Sequence, residues 1–162
     1  MNSTGNHIEI REMTLDDIAE IALLEAADST APWDETSLFT YFLREDAYLV
    51  VAEEDSRIVG FAGILAAPPE ADVLDITVRS DMRRKGYGMA LLQYLFSQAP
   101  EFGINSVFLE VRVGNAPARR LYEKLGFTET GIRKNYYTDP REDAISMKLV
   151  IPSEETSKHP ES

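Results

Sequence analysis

The sequence contains no cysteine, and its only histidines, His7 and His159, lie near its two ends. The absence of cysteine excludes a disulfide framework, a thiolate zinc site and a cysteine nucleophile. Histidines so placed disfavour a histidine metal cluster and a Ser-His-Asp triad, so we expect no metal. No apolar run reaches the roughly 18 residues that a membrane span needs, and Met1–His7 lacks the basic start and apolar stretch of a signal peptide. We therefore expect a cytoplasmic protein with no membrane partner.

Positive charge is scarce in the first part of the chain. Residues 1–72 carry 16 acidic and 3 basic side chains, whereas residues 73–162 carry 12 acidic and 13 basic ones. An acidic surface that aids solubility is one interpretation; the other is an acidic half that attracts a cationic partner and a second half that holds an anionic one. The overall charge of -12 disfavours nucleic acid as a direct partner.

The length and the hydrophobic pattern predict one mixed α/β domain over residues 1–152, followed by a flexible tail, residues 153–162. Apolar periodicity and turn residues separate strands from helices. The predicted strands are Ile8–Met13, Tyr48–Ala52, Ile58–Leu65, Val73–Val78, Val107–Val113, Thr128–Tyr136 and Ala144–Leu149. The predicted helices run from Thr14, as N-cap, to about Ala27, and over Glu35–Leu43, Gly88–Gln98 and Ala116–Leu125. Glu54–Ser56 is the predicted turn of a hairpin, and Gly126 is the predicted C-cap of the last helix.

A basic, glycine-containing turn, Arg83–Gly88, lies between a predicted strand and a predicted helix. Its two glycines allow a tight bend and a close backbone approach to a ligand, and the helix start offers N–H groups to a pyrophosphate. A plain strand-to-helix connection would look similar. A dinucleotide-binding turn is disfavoured because Leu91 occupies the position of its third small residue, and the Gly-Lys-Ser/Thr of a Walker loop is absent.

The strand Asp75–Val78, followed by Arg83-x-x-Gly86-x-Gly88 and an amphipathic helix, resembles the acetyl-coenzyme A site of the GNAT superfamily of N-acetyltransferases. The segment Asn115–Phe127 resembles the second signature of that superfamily. The resemblance implies a mixed, mostly antiparallel central sheet that is splayed at the cofactor site and flanked by helices. It also implies that the backbone of Ile76, Thr77 and Val78 binds the pantetheine arm, and that the pyrophosphate is held by Arg83, Arg84, Lys85, Gly86, Tyr87, Gly88 and Met89.

Three polar residues in or near the second signature have interpretations that need no function. Glu110 alternates with apolar residues in a predicted central strand, where burial would raise its pKa toward that of a general base; it could equally be a surface carboxylate or pair with Arg112. Tyr122 lies on an apolar helix face, as a core tyrosine does. Asn115 is a sound N-cap, with Pro117 tolerated in the first turn, and could also contact a cofactor.

Closer resemblance is to the RimI family, bacterial enzymes that acetylate the N-terminal alanine of a small-subunit ribosomal protein. It is carried by Leu109–Arg112 with Asn115 and Tyr122, by Ile132–Tyr137, by Arg141–Met147 and by Pro32-Trp33. The N-terminal region departs most from the family pattern. The resemblance implies that Glu110 is the general base, Tyr122 the general acid and Asn115 a coenzyme A contact.

The expected reaction is direct acetyl transfer from acetyl-coenzyme A in a ternary complex, because no cysteine can carry the acetyl group. The acceptor would be the N-terminus of a basic ribosomal protein, with Tyr136 and Tyr137 lining the peptide groove. Two alternatives remain open. One is a transferase of the same superfamily that acts on a small amine, such as a polyamine, an amino acid or an antibiotic; the other is a non-catalytic module that binds acetyl-coenzyme A.

Overall fold

The computed structural model describes residues 8–152. Its strands are β1 (Ile8–Glu12), β2 (Ala47–Glu54), β3 (Arg57–Ala67), β4 (Glu70–Val78), β5 (Ser106–Arg112), β6 (Thr128–Thr138) and β7 (Arg141–Val150). Its α-helices are α1 (Ile18–Asp28), α2 (Glu35–Phe42), α3 (Tyr87–Gln98) and α4 (Ala116–Leu125). Short 3-10 turns occupy Leu15–Asp17, Ser80–Met82 and Ala99–Phe102. The predicted tail, residues 153–162, lies outside the described residues.

The seven strands form one sheet in the order β1-β2-β3-β4-β5-β7-β6. The pairs β1/β2, β2/β3, β5/β7 and β6/β7 are antiparallel, whereas β4 and β5 are parallel. The parallel register runs only from Glu70↔Ser106 to Asp72↔Phe108, although β4 continues to Val78. This is the mixed, mostly antiparallel α/β sheet with flanking helices that the sequence predicts.

The described residues fall into two compact units, and the expectation of a single domain over residues 1–152 stays a prediction. The first unit consists of residues 8–65 and 74–95. Its core joins α1, α2 and the β2–β3 hairpin, because the apolar stripes of both helices cover the same apolar strand faces. The fully buried side chains at its centre include Ile21, Leu38 and Phe61, and Trp33 packs against them.

The second unit consists of residues 66–73 and 96–152. Alternation in β5 buries Val107, Leu109 and Val111 on one face and leaves the residues between them only partly covered. On the buried side, Phe127 packs edge-on against Tyr122 of α4, with ring centroids 5.7 Å apart, and against Phe96 at 5.8 Å. These contacts fix α4 within the unit.

The bounds of several elements differ from the predicted ones for physical reasons. The β2–β3 turn shortens from Glu54–Ser56 to Asp55 and Ser56, which both have positive φ (52° and 69°), the backbone of a two-residue hairpin turn. β4 begins three residues earlier than predicted because Glu70–Asp72 pairs with β5. By contrast, α4 has the predicted bounds, and Gly126 ends it in the left-handed conformation at φ 105°.

The start of the first helix is tighter than the sequence predicts. Thr14 is the N-cap, but the first turn, Leu15–Asp17, is a 3-10 turn and the α-helix begins at Ile18. The Asp17 carboxylate accepts from the Thr14 backbone N–H at 2.7 Å and is held by the Arg11 guanidinium at 2.8 Å. These two contacts pin the carboxylate over the helix start and explain the closed first turn.

Candidate active site

The predicted phosphate-binding turn follows a 3-10 turn, Ser80–Met82, and ends where α3 begins at Tyr87. Two of its residues, Arg84 (φ 68°) and Gly86 (φ 85°), adopt left-handed backbone conformations. A Cβ added at Gly86 would meet no atom within 4 Å, so glycine is needed there for its backbone conformation and not for space. The turn therefore has the bent backbone that the glycine pattern predicts.

The first turn of α3 presents backbone N–H groups that the helix itself cannot satisfy. The helical hydrogen-bond ladder starts with the Ala90 N–H donating to the Gly86 carbonyl at 3.0 Å. The N–H groups of Tyr87, Gly88 and Met89 precede that bond and have no acceptor within the helix. Together with the positive end of the helix dipole, they suit an anionic ligand such as a pyrophosphate.

The three basic side chains of the turn are exposed but differ in their hydrogen-bond partners. Arg83 donates to the Val78 carbonyl at 3.2 Å and to the Asp28 carbonyl at the end of α1 at 3.1 Å. Arg84 and Lys85 are exposed, and the Lys85 ammonium lies 3.7 Å from the Met82 sulfur. Arg83 thus ties the turn to its own unit, which leaves Arg84 and Lys85 as the cations best able to meet a phosphate.

The aromatic residue of the turn is directed inward. Tyr87 is buried, and its hydroxyl donates to the Glu54 carboxylate at the end of β2 at 2.9 Å. Burial and this acidic partner raise the pKa of Tyr87 above its usual range. The hydroxyl of Tyr87 is therefore committed to Glu54, and only its backbone N–H is placed as a phosphate donor would be.

The strand predicted to take the pantetheine arm is the second part of β4. Thr77 is buried, whereas Ile76 and Val78 are partly exposed. Gly60 of β3 allows a close approach to this strand: an added Cβ would lie 3.4 Å from the Thr77 carbonyl oxygen and 2.9 Å from Leu91 of α3. A side chain at position 60 would thus push against the predicted cofactor strand and the helix beside it.

Glu110, the predicted base, lies on β5 in polar surroundings. Its side chain is 25% exposed, and its Oε2 accepts from the Ser146 hydroxyl at 3.3 Å and forms an ion pair with Arg133 Nε at 3.2 Å. The Arg133 Nε–H itself donates to the Ser146 hydroxyl oxygen at 3.3 Å. Arg133 is itself 61% exposed, so this ion pair is a weak one that a cationic ligand could displace. The expected apolar surroundings are wrong, because neighbouring positions of β6 and β7 place an arginine and a serine beside the carboxylate.

Two further carboxylates give the surroundings of Glu110 a negative potential. Asp72 of β4 is paired in register with Phe108, two residues before Glu110, and Glu70 lies on the same strand face. Asp72 is exposed as a residue, yet partial shielding of its carboxyl, together with the charges of Glu110 and Glu70, raises its pKa. Such a cluster favours a positively charged acceptor.

Arg112 does not pair with Glu110 but organises the β6–β7 hairpin. Its guanidinium donates to the Pro140 carbonyl at 2.9 Å, forms an ion pair with Glu142 at 3.2 Å and lies 4.2 Å from the centre of the Tyr137 ring. Tyr136 is 48% exposed beside Tyr137, with ring centroids 5.0 Å apart. The sequence pattern placed Arg112 in a signature, but its partners lie about 25 to 30 residues later and carry no local signal.

Asn115 and Tyr122 are the predicted site residues of α4. Asn115 caps the helix, since its side-chain oxygen accepts from the Ala118 N–H at 3.2 Å. Tyr122 is 7% exposed and packs on Phe127. Asn115 is therefore a helix cap and Tyr122 a core residue, as the sequence indicates. The roles of Asn115 in cofactor binding and of Tyr122 in acid catalysis stay predictions.

Within the described residues, each unit brings together part of the predicted site. The first holds Ile76–Val78 and the turn from Arg83 to Met89; the second holds Glu110, Asn115 and Tyr122. Among residues 8–152, no group of three or more Asp, Glu or His side chains could hold a metal ion. No helix in this part of the chain is both long and apolar enough to cross a membrane.

Comparison with known proteins gives consistent matches. Residues 15–127 match the model of the Acetyltransferase (GNAT) family. The [ribosomal protein bS18]-alanine N-acetyltransferase of Escherichia coli (strain K12) is 40% identical over 123 residues, 74% of this chain and 82% of that protein. A Bacillus subtilis (strain 168) protein, provisionally given the same activity in its name, is 36% identical over 143 residues, 88% of this chain and 95% of its own length. The crystal structure of the Escherichia coli enzyme superimposes with a TM-score of 0.82 at 35% identity, covering 90% of this chain and 94% of that one.

Proposed function

Since this chain belongs to the GNAT family of acetyltransferases, we propose that it acetylates the N-terminal alanine of a small-subunit ribosomal protein, with acetyl-coenzyme A as the acetyl donor. The observation that carries this proposal is the similarity to bS18-alanine N-acetyltransferases over most of both chains. The acceptor would be made in the cytoplasm, so we propose that compartment for the reaction.

The turn before α3 fits the phosphates of coenzyme A. Exposed Arg84 and Lys85 supply positive charge, and the N–H groups of Tyr87, Gly88 and Met89 supply donors at a helix N-terminus. The strand Ile76–Val78 would bind the pantetheine arm through its backbone, and Asn115, whose oxygen serves as the helix cap, would use its amide NH2. When bound, acetyl-coenzyme A supplies an acetyl group activated as a thioester.

Proton transfer is the part of the reaction that we assign to side chains. Glu110 is partly exposed and negatively charged surroundings favour an ammonium near it, so the acceptor α-ammonium can take the place of Arg133 at the carboxylate. Glu110 then removes a proton, directly or through water, and frees the amine lone pair for attack on the acetyl carbonyl. The C–N bond forms as the C–S bond breaks, and the Tyr122 hydroxyl protonates the departing thiolate. The amide nitrogen then releases its second proton, which returns through water to the Tyr122 phenolate.

The decisive experiment is mass spectrometry of a basic peptide that begins with a free alanine and contains an internal lysine, after incubation with the protein and acetyl-coenzyme A. We expect acetylation of the α-amine, none on the lysine, and none on an N-terminally blocked copy. Glu110→Gln should lower kcat about 100-fold or more, whereas Glu123→Gln, an exposed change on α4, should not.

The acid is tested by Tyr122→Phe, which keeps the buried ring that packs on Phe127. Turnover should fall while the affinity for acetyl-coenzyme A, measured by calorimetry, is retained. Unchanged turnover would remove Tyr122 from the mechanism. If the peptide is untouched and a polyamine or amino acid releases coenzyme A thiol instead, the acceptor is a small amine and the ribosomal proposal fails.

A further inference from the structure

A carboxylate that the proposed reaction does not use lies at the centre of the first unit. Glu25 of α1 is fully buried, at 0% exposure, and its Oε1 accepts from the Trp33 backbone N–H at 3.1 Å. Its Oε2 is also buried and accepts no hydrogen bond from an N–H or hydroxyl donor within residues 8–152. A buried ionised carboxylate with an unsatisfied oxygen is strongly unfavourable, so this oxygen needs a donor.

Asp75 of β4 can be that donor. Its carboxyl lies within hydrogen-bonding reach of Glu25, and the Thr77 hydroxyl donates to Asp75 Oδ2 at 3.4 Å. Two carboxyl groups in this arrangement cannot both be ionised, and one shared proton satisfies the orphaned oxygen. Burial, followed by the hydrogen bond and charge of Glu25, raises the pKa of Asp75 to about 9.

The pair connects two segments of the first unit. Glu25 accepts from the backbone N–H of Trp33, which lies in the link between α1 and α2. Asp75 lies in β4, directly before the segment Ile76–Val78. The Trp33 ring stacks on Tyr41 of α2 at 4.7 Å and meets Phe61 at 5.8 Å. Two other ionisable side chains of the described residues lie on the Trp33 side of the pair: Tyr41, which stacks on Trp33, and Arg44, whose guanidinium lies 5.7 Å from the Tyr41 ring.

We propose that Glu25 and Asp75 share one proton and act as positioning residues, which hold the segment carrying Trp33 beside the strand Ile76–Val78. The consequence for catalysis rests on the proposed function, in which the acceptor amine must reach the acetyl group bound along that strand. Loss of the shared proton leaves two adjacent negative charges, which repel and release the Trp33 segment. The acceptor then binds only to the fraction of molecules that keeps the proton.

The direct test uses Trp33, the single tryptophan of the chain, as a fluorescent reporter. As the pH is raised, the Trp33 segment of the unmodified protein should be released, and we expect the emission to shift to longer wavelength with a midpoint near pH 9. Asp75→Asn should abolish this transition, because the asparagine amide donates to Glu25 at any pH. Glu25→Gln should move its midpoint to lower pH, because it removes the charge of Glu25 but leaves Asp75 buried. Asp46→Asn, the same change at an exposed carboxylate paired with Arg44, should leave it in place. A missing transition, or one that persists in Asp75→Asn, overturns the proposal.

The second test measures the KM and kcat for the alanine peptide at pH 7 and pH 9. At the midpoint half of the molecules keep the proton, so the KM of the unmodified protein should about double relative to that of Asp75→Asn, with kcat unaffected. Using the ratio of the two proteins removes the effect of peptide ionisation. If the ratio of the two KM values is the same at pH 7 and pH 9 although the fluorescence transition is clear, the shared proton does not control acceptor binding. Because fluorescence needs no acceptor, it tests the shared proton even if the peptide is not a substrate.

Discussion

The shared proton of Glu25 and Asp75 should make the stability of the protein fall as the pH rises. In the folded protein the pair keeps one proton up to about pH 9, whereas in the unfolded chain both carboxyls have ordinary pKa values and lose theirs near pH 4. The folded state therefore binds one more proton between these values. Since the folded pKa is the raised one, the stabilisation is complete below about pH 4 and is lost progressively as the pH rises to about 9.

The size of this effect follows from proton linkage. One extra proton on the folded state changes the free energy of unfolding by about 1.4 kcal/mol per pH unit, or about 2.7 kcal/mol between pH 6 and pH 8. In Asp75→Asn the folded and unfolded chains carry the same number of protons at this site, so that slope disappears. The free energy of unfolding of the variant, relative to that of the unmodified protein, should thus rise by about 2.7 kcal/mol from pH 6 to pH 8. This estimate depends only on the number of protons that each state binds.

Urea unfolding followed by circular dichroism at pH 6, 7 and 8 measures this difference. Asp46→Asn is the matched control, because its salt bridge with Arg44 lowers the pKa of Asp46 and keeps the carboxyl ionised throughout the range. The free energy of unfolding of this control should change with pH as that of the unmodified protein does. If that of Asp75→Asn also does so from pH 6 to pH 8, the pair does not hold a proton in the folded state and the reasoning is wrong.

Two other substitutions test the two parts of the proposed active site. Gly86→Ala places a side chain at φ 85° and meets no clash, so we expect the free turn to relax to another backbone conformation. Binding of acetyl-coenzyme A must then restore a conformation that costs about 1–2 kcal/mol, and the affinity measured by calorimetry should fall about tenfold. Gly86→Asn, which tolerates this conformation better, should weaken it less, and equal effects would argue against strain. Ser146→Ala removes a hydrogen bond to Glu110 worth about 1 kcal/mol and should lower kcat about fivefold, with the KM unchanged. A normal kcat would show that Ser146 does not orient the carboxylate.

Much of the fold could be predicted because its signals are local. Helix α4 has its cap, Asn115, its apolar face and its terminating Gly126 within a dozen residues, and its predicted bounds are confirmed. The start of β4 could not be predicted, because Glu70–Asp72 becomes a strand only by pairing with β5, more than 30 residues later. The 3-10 turn before α1 likewise depends on Arg11, which lies outside the helix.

The candidate site divides in the same way. The bend of the turn at Gly86 could be read from the glycine pattern, because a local backbone conformation produced it. The surroundings of Glu110 could not, since Arg133 and Ser146 reach it from two later strands. The Glu25–Asp75 pair gave no signal at all, because the two residues are 50 positions apart and each is an ordinary acidic residue in a chain that has 28 of them.

The basic turn shows why a signature should not be taken as a set of equivalent ligand contacts. Two of its residues donate to other parts of the same unit: exposed Arg83 to the carbonyls of Val78 and Asp28, and buried Tyr87 to the Glu54 carboxylate. Hydrogen bonds within the unit thus set the path of the backbone before any ligand arrives. The groups left over are the exposed cations and the N–H groups of a helix start, which need no rearrangement to meet an anion. Because these donors are already in place, the protein loses little conformational entropy when the ligand binds, so side chains that never touch the ligand contribute to its affinity as well.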